Sequence, residues 1–455
     1  MDAIFDRREA HVDEYSLDIG DFCFAAGANI PSRYIVIFQD AECEYFERDN
    51  DYRPKGPQST RGLKYCAPKS VVLRRLDIMG YTHDVCMQRL SDWSEKYLSR
   101  QIWYRDHAPL TPDKWLKTAR DCLTYYAGEL NYDRFEVDQE DDSIRSFLSP
   151  NYNDWGEGSP MHFDGHGSLT SFRIFLELST KEDITLEVFE SPNGDIRSLA
   201  GSMCEEARRR LGTSQYLPVI IIPEGSTDSE FLERALRTFY PELRDYFQLF
   251  SFQSGRNRKM KVEGSTTNTS FYIHAVAEIA PNNLLLGLYD NDLEGVNAHA
   301  KLLASGLPHH VIAMTLPDLE WLRSYPVKFK GADGVFLRDI NGRAATIEMF
   351  AGKHNLINKG VLPPVETKVS DPKVDKFQGQ ILTAKGRAQK NFRKDLNGSH
   401  PSDFLKDIHQ DIQALWNEII KSVASHRARH LLNRQFPRSF RDEEIQQEMS
   451  HPAIP

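Results

Sequence analysis

Two stretches decide the fold: YLPVIIIPEG at 216–225 and LLLGLYDNDLEG at 284–295. Each is a short apolar run that stops abruptly at an acidic residue. A run that is apolar at successive positions, not at every second one, marks a strand covered on both faces, as in a parallel sheet. Around these runs the pattern alternates. Phe231, Leu232, Ala235, Leu236 and Phe239 fall on one helical face. A strand is then expected over 246–252, a helix over about 269–279, a strand over 284–289, a helix over about 295–305 and a strand over 310–316. Alternating β and α at these lengths predicts a parallel α/β sheet.

The acidic residues at the ends of those runs carry the chemistry. Glu224 follows the first run and Asp228 lies four residues on; Asp290 and Asp292 follow the second, inside DNDLEG. The carboxyl ends of parallel strands open onto one crevice, where α/β sheets bind ligands. Carboxylates converging there cannot all stay ionised without a cation to neutralise them. A set of oxygen donors without His or Cys selects hard ions, Mg²⁺ or Mn²⁺. Such an ion activates water and stabilises charge on a transferring phosphoryl group. The competing reading is plain: Glu-Gly and Asp-Asn-Asp are also ordinary strand-to-helix turns and helix caps.

PEG at 223–225 followed by DND at 290–292 resembles the TOPRIM domain of topoisomerases, bacterial primases and the overcoming-lysogenization-defect (OLD) nucleases. The resemblance covers about 216–395. It implies that Glu224 is a general acid/base or metal ligand, and that Asp290 and Asp292 are metal ligands. Asp228 matches a further ligand of the OLD type. Glu348 in RAATIEMFAG matches a helix-borne Glu of that type, with a solvated helix face as the alternative. Lys385 in LTAKGR matches a lysine near the scissile phosphate, with Lys376 and Lys390 as rivals. OLD relatives cut DNA, and related TOPRIM effectors of the PARIS type cut tRNA.

In the first half, EYSLDIGDF (14–22) and SVVLRRLDIMGYT (70–82) resemble the N-terminal domain found fused to HEPN ribonuclease or TOPRIM domains in bacterial defence proteins. The resemblance covers about 14–200, implies antiphage defence, and names no catalytic residue. The expected architecture is an α+β N-terminal domain (1–205), a parallel-sheet TOPRIM-like α/β domain (206–395) and a helical, basic C-terminal region (396–455). In the N-terminal half, helices are expected around Val71–Leu76 and Trp115–Tyr126. The alternation in LTSFRIFLELS (169–179) and ITLEVF (184–189) predicts a β-hairpin, while 49–62, DQEDDS and SPNYNDWGEGSP read as loops. In the last region, Phe404, Ile408, Ile412, Leu415, Ile419 and Val423 predict one long amphipathic helix over Ser402–Arg434, a surface for self-association.

Composition sets the frame for these motifs. The chain has 455 residues, 40% apolar and 11% aromatic, enough for packed cores and too much for a disordered chain. The apolar runs are too short for a membrane helix of about 18 residues or more. The start, MDAIFDRREAHVDEY, lacks an apolar signal core, and six scattered cysteines form no C-x-x-C pair. A soluble, cytoplasmic protein is expected. The net charge is −10, which argues against an ordinary nucleic-acid binder. It is unevenly spread: residues 376–441 hold 13 basic and 5 acidic residues, a net of +8, which leaves −14 on 1–375 after the acidic tail. Lys390, Arg393, Arg427 and Arg429 in the basic stretch are candidate phosphate contacts.

Weaker signals complete the inventory. Arg100/His107 and Arg393/His400 have the spacing of a HEPN site. HFDGHG (162–167) could be a metal cluster or a turn. No G-x-x-x-x-G-K-[ST] is present, so an ATPase or sensor partner would act in trans. The leading expectation is an Mg²⁺- or Mn²⁺-dependent endonuclease of antiphage defence acting on DNA or tRNA. The alternatives are an inactive regulatory or sensor subunit and a metal-independent HEPN-type ribonuclease.

Overall fold

In the computed structural model the described residues are 12–27, 31–50, 58–99, 111–125, 147, 160–163, 168–190, 196–250, 266–373, 375–381, 385–398 and 400–433. They divide into two units. One holds the described residues up to Gly212 together with those from Ala424 onward; the other is Thr213–Val423. The chain is mixed α/β, with several sheets. Among the described residues no helix is long and apolar enough to cross a membrane.

The first unit is built on a five-stranded antiparallel sheet, in the order β2 (Phe22–Gly27), β1 (Val12–Ile19), β5 (Asp183–Glu190), β4 (Gln58–Pro68), β3 (Cys43–Asn50). Alternation fixes its register. Leu17, Leu186 and Tyr65 form one cross-strand row, and Tyr15, Val188 and Leu63 the next, all buried. A one-residue slip would turn each row to the opposite face. The loop expected at 49–62 is shorter than its composition suggested, because Asn50 pairs with Gln58 and the strands consume both ends.

The hairpin expected at 169–189 is half wrong. Leu169–Leu178 is an α-helix, N-capped by Ser168, whose hydroxyl accepts from the Thr170 N–H; only Asp183–Glu190 is a strand. The cause is burial on all sides. Phe172 and Phe175 pack on Phe24 of β2, and Trp115 of the Pro112–Tyr125 helix packs on Phe175. A helix covered all round shows no polar face, so its sequence loses the 3.6-residue rhythm. The helices expected near Val71 and Trp115 are present as Lys69–Ile78 and Pro112–Tyr125.

The second unit carries the expected parallel sheet, ordered β10 (Val311–Thr315), β8 (Leu285–Tyr289), β6 (Val219–Ile222), β7 (Phe247–Leu249). All of β6 and β8 is buried, as their uninterrupted apolar runs require. The chain passes from β6 to β7 on one side, then crosses back to β8 on the other. The strand order therefore reverses between β6 and β8, and the crevice at such a switch point is where α/β sheets bind ligands. The helices Ser226–Phe239, Thr266–Ile279 and Leu293–Ala304 supply the connections.

Short strands escaped the sequence reading. β9 (Asn291–Asp292) pairs antiparallel with β13 (Ala344–Ala345), and β12 (Phe336–Arg338), β11 (Tyr325–Lys328), β14 (Val365–Thr367) and β15 (Gly379–Gln380) form a further mixed sheet. The single long helix expected over 402–434 is two helices, Ser402–Ile408 and Gln410–Leu432, broken at His409. Its C-terminal turns belong to the first unit from Ala424, so the helical region expected at 396–455 is shared between the two units.

One buried ion pair pins the first unit's sheet margin. Arg75 is fully buried, and its guanidinium donates to both Glu42 oxygens at 2.8 and 2.7 Å and to the Ile37 carbonyl at 3.0 Å. Removing the carboxylate strands a buried cation. Glu42→Ala should therefore cost about 3 kcal/mol, and Glu42→Gln, which keeps an acceptor, distinctly less. Urea denaturation measures both; a wild-type midpoint for Glu42→Ala would contradict this account.

Candidate functional site

At the carboxyl end of β6, Pro223 ends the ladder and Glu224 follows. Gly225 caps the next helix, and Asp228 sits in that helix's first turn, only 7% exposed. At the end of β8 comes Asp290. Its backbone N–H donates to Glu224 Oε1 at 3.1 Å, tying the ends of the two strands together. Asp292 caps the Leu293–Ala304 helix, its Oδ1 accepting from the Gly295 N–H at 2.7 Å. The cap reading of this motif is thus literally true of Asp292. It does not exclude a ligand role, because each carboxylate oxygen has a second lone pair.

Gly295 is required by close approach. A Cβ there would lie 2.2 Å from the Asp290 carbonyl oxygen and 3.1 Å from Glu224 Oε1. The β9–β13 pairing then brings in the fifth carboxylate. Ala344 pairs with Asp292 and Ala345 with Asn291, which sets the following 3₁₀ turn, Ile347–Ala351, against Asp290. The Ile347 N–H donates to Asp290 Oδ1 at 3.1 Å. Glu348, expected on a helix with a solvated face as the alternative, is 2% exposed on this turn. Its oxygens accept from Thr346 Oγ1 at 2.8 Å and Gln389 Nε2 at 3.0 Å.

Electrostatics confirm the crowding. Burial, then repulsion from Asp228, Glu224, Glu348 and Asp292, pushes the Asp290 carboxyl well above the usual carboxylate range. Burial, opposed by the Asp290 N–H and reinforced by Asp292, Asp228 and Glu294, lifts Glu224 from the ordinary 4.5 to about 7. Glu224, Asp228, Asp292 and Glu348 are therefore close enough to Asp290 to resist its ionisation. An oxygen-only donor set under this strain fits a hard divalent cation.

The basic candidates fare unevenly. Lys385 opens the Lys385–Asn397 helix, but its side chain lies outside the described part. Lys390 on that helix and Lys376 before β15 are exposed. Arg393 is committed to Glu230, donating from Nη2 at 2.6 Å and Nε at 3.0 Å. Arg427 is a correction: it is 3% exposed and donates to the Ile78 carbonyl at 3.1 Å, a buried strut and no phosphate contact. Arg429 is exposed.

The remaining motifs resolve partly. His162 packs edge-on against Phe24, whereas Asp164, His166, Arg100, His107 and Arg434 lie outside the described residues. His400 packs at a tilt against Phe404 while Arg393 is held by Glu230, so that pair is not assembled as a HEPN site. Sequence reading missed Gln378 and Gln389. Gln378 Nε2 donates to Asp292 Oδ2 at 2.6 Å, and its Oε1 accepts from the Leu293 N–H. The only hint of Gln389 was its place beside the apolar pair Ala388 and Phe392.

With this geometry established, comparison with known proteins adds one match. Residues 13–190 match the family described as HEPN/Toprim N-terminal domain 1. That stretch is similar to the N-terminal domains associated with HEPN and Toprim proteins. The match begins at the second residue of β1 and ends on the last residue of β5, so it takes in all but the first residue of the antiparallel sheet. No curated protein and no solved structure matches the chain.

A carboxyl whose pKa rises on folding binds its proton more tightly folded than unfolded. Stability is then lost as pH rises from the ordinary Glu value to about 7, and levels off above it. In EDTA the wild-type chain should lose stability between about pH 5 and about pH 8, and Glu224→Gln should flatten that slope. Urea midpoints at the two pH values test this; parallel slopes would remove the assignment.

Proposed function

We propose that the chain is a divalent-metal-dependent endonuclease of antiphage defence, with Glu224, Asp228, Asp290, Asp292 and Glu348 as its centre. The observation that carries this reading is the gathering of four carboxylates, Glu224, Asp228, Asp292 and Glu348, around that of Asp290 at the switch point between β6 and β8, with the Asp290 carboxyl held well above its usual range. The HEPN/Toprim-associated domain supports a nuclease-related role.

Glu224, with its pKa lifted to about 7, is matched to proton transfer near neutral pH and is assigned as general acid/base. Asp290, Asp292, Asp228 and Glu348 supply the oxygens for one or two Mg²⁺ or Mn²⁺. A divalent ion bound there supplies charge neutralisation, water activation and stabilisation of the phosphoryl charge. The chain's own part is to preorganise those oxygens. The Asp290 and Ile347 N–H groups, Gln378 and Gln389 each fix one carboxylate before any ion arrives. The Lys385–Asn397 helix runs past Glu348 through Gln389, so exposed Lys390, and Lys385 at its start, are assigned to phosphate. Duplex DNA is the first substrate to test and tRNA the second. An ATPase or sensor partner in trans would supply the control this chain's motifs lack.

Glu224→Ala and Asp290→Ala should each lower Mg²⁺-dependent cleavage about 100-fold or more. Undiminished cleavage by both variants sinks the proposal, and cleavage that survives EDTA points to metal-independent ribonuclease chemistry instead. Independently of activity, Mg²⁺ or Mn²⁺ should raise the melting temperature of the wild type but not of Asp290→Ala.

A further inference from the structure

A second cluster lies apart from the carboxylates and has different chemistry. His354 stands on the one-turn helix Lys353–Leu356, Asp395 near the end of the Lys385–Asn397 helix, and His409 at the break between the two C-terminal helices. One ligand atom from each lies within 4.8 Å of the other two. Both imidazole Nε2 atoms are 3.2 Å from the same oxygen, Asp395 Oδ2.

We propose that His354, Asp395 and His409 form a site for a borderline transition-metal ion of the Zn²⁺ class. Three features carry the assignment. First, His409 is fully buried, and neither ring nitrogen makes a well-aligned hydrogen bond: its polar neighbours are Asp395, whose Oδ2 lies 3.2 Å from Nε2, and the Ala351 backbone. A buried polar group left this way is costly, whereas two ligands of one ion sit side by side with both lone pairs directed at the metal. Second, the donor set is two imidazoles and one carboxylate, which suits Zn²⁺ and its neighbours and not the hard ions fitted by the carboxylate cluster. Side-chain exposures of 42% at His354 and 30% at Asp395 leave a solvent side for water ligands.

Third, the surroundings are built to hold these ligands. Asn355, 3% exposed, donates to Asp395 Oδ2 at 2.9 Å and to the Ala351 carbonyl at 2.9 Å, fixing the oxygen that both imidazoles approach. Gly352 has φ +93°, and a Cβ there would lie 2.7 Å from His354 Cε1 and 3.2 Å from the Ile408 carbonyl. Only glycine lets the His354 ring lie beside the helix break. The site would also brace the carboxylate centre. Gln389, which holds Glu348, and Asp395 share one helix, about 9 Å apart along its axis.

The inference does not rest on the nuclease reading, and its test is separate. Metal-stripped protein in excess Mg²⁺ is titrated with Co²⁺ as a spectroscopic probe and with Zn²⁺. The expected result is one equivalent of Co²⁺ with visible d–d absorption, displaced by Zn²⁺, and a Zn²⁺-dependent rise in melting temperature. Glu224→Ala should keep both responses. His354→Ala, at a side chain exposed enough to leave folding intact, and His409→Gln should lose both, with circular dichroism checking their fold. No Zn²⁺ response in the wild type, or an undiminished response in folded His354→Ala, overturns the site.

Discussion

Repulsion among carboxylates at the ends of β6 and β8 is the constraint that organises the second unit. Five acids in one half-buried crevice are unfavourable for folding, and the surrounding structure serves to hold them there. The Asp290 N–H reaches Glu224, the Ile347 N–H reaches Asp290, and two glutamines reach Asp292 and Glu348. These are neutral donors. They orient the oxygens without cancelling the negative charge, so the attraction for a cation is preserved. Gly295 belongs to the same arrangement, since any side chain there would push the two strand ends apart.

The first unit uses charge in the opposite way. Its buried cations satisfy backbone carbonyls: Arg75 at Ile37, Arg208 at Phe38, Arg173 at Leu73, Arg427 at Ile78 and Arg89 at Leu431. Several of those carbonyls lie at helix ends, where acceptors are left over and cations are favoured. A guanidinium with five donors in a fixed plane suits this work better than an ammonium. Whole-chain charge therefore says little about either unit, because much of it is tied up in internal contacts.

The sequence made the parallel sheet legible because β6 and β8 are buried on both faces and read as unbroken apolar runs, each ended by an acid. It made the antiparallel sheet only partly legible. Leu169–Leu178 alternates by accident of total burial, and β-branched or aromatic residues at every second place imitate a strand. β11 to β15 are two to four residues long, too short to show any period. The break at His409 was hidden because the apolar spacing on either side stays nearly in phase. Of the candidate site, the four acids at strand ends and Glu348 were visible as motifs. Gln378 and Gln389 were not, because a polar residue in a loop or on a helix flank carries no pattern until the tertiary contacts are known. Arg427 misled for the same reason: a basic run looks solvated until one of its members is found inside.

The strut from Arg427 to Ile78 has a consequence for how the chain is made. Residues 13–190 hold nearly all of the antiparallel sheet, yet the Ile78 carbonyl accepts from Arg427 and Arg89 donates to the Leu431 carbonyl. During synthesis the early-born unit must wait while more than two hundred residues are added, on the order of tens of seconds at cellular rates. Over that interval its last contacts are missing while the residues of the carboxylate crevice, Glu224 to Gln389, are being made. The helical turns around 427–431 thus act as a closing stitch, and any recombination that exchanges the N-terminal domain between proteins must carry that distant stitch with it.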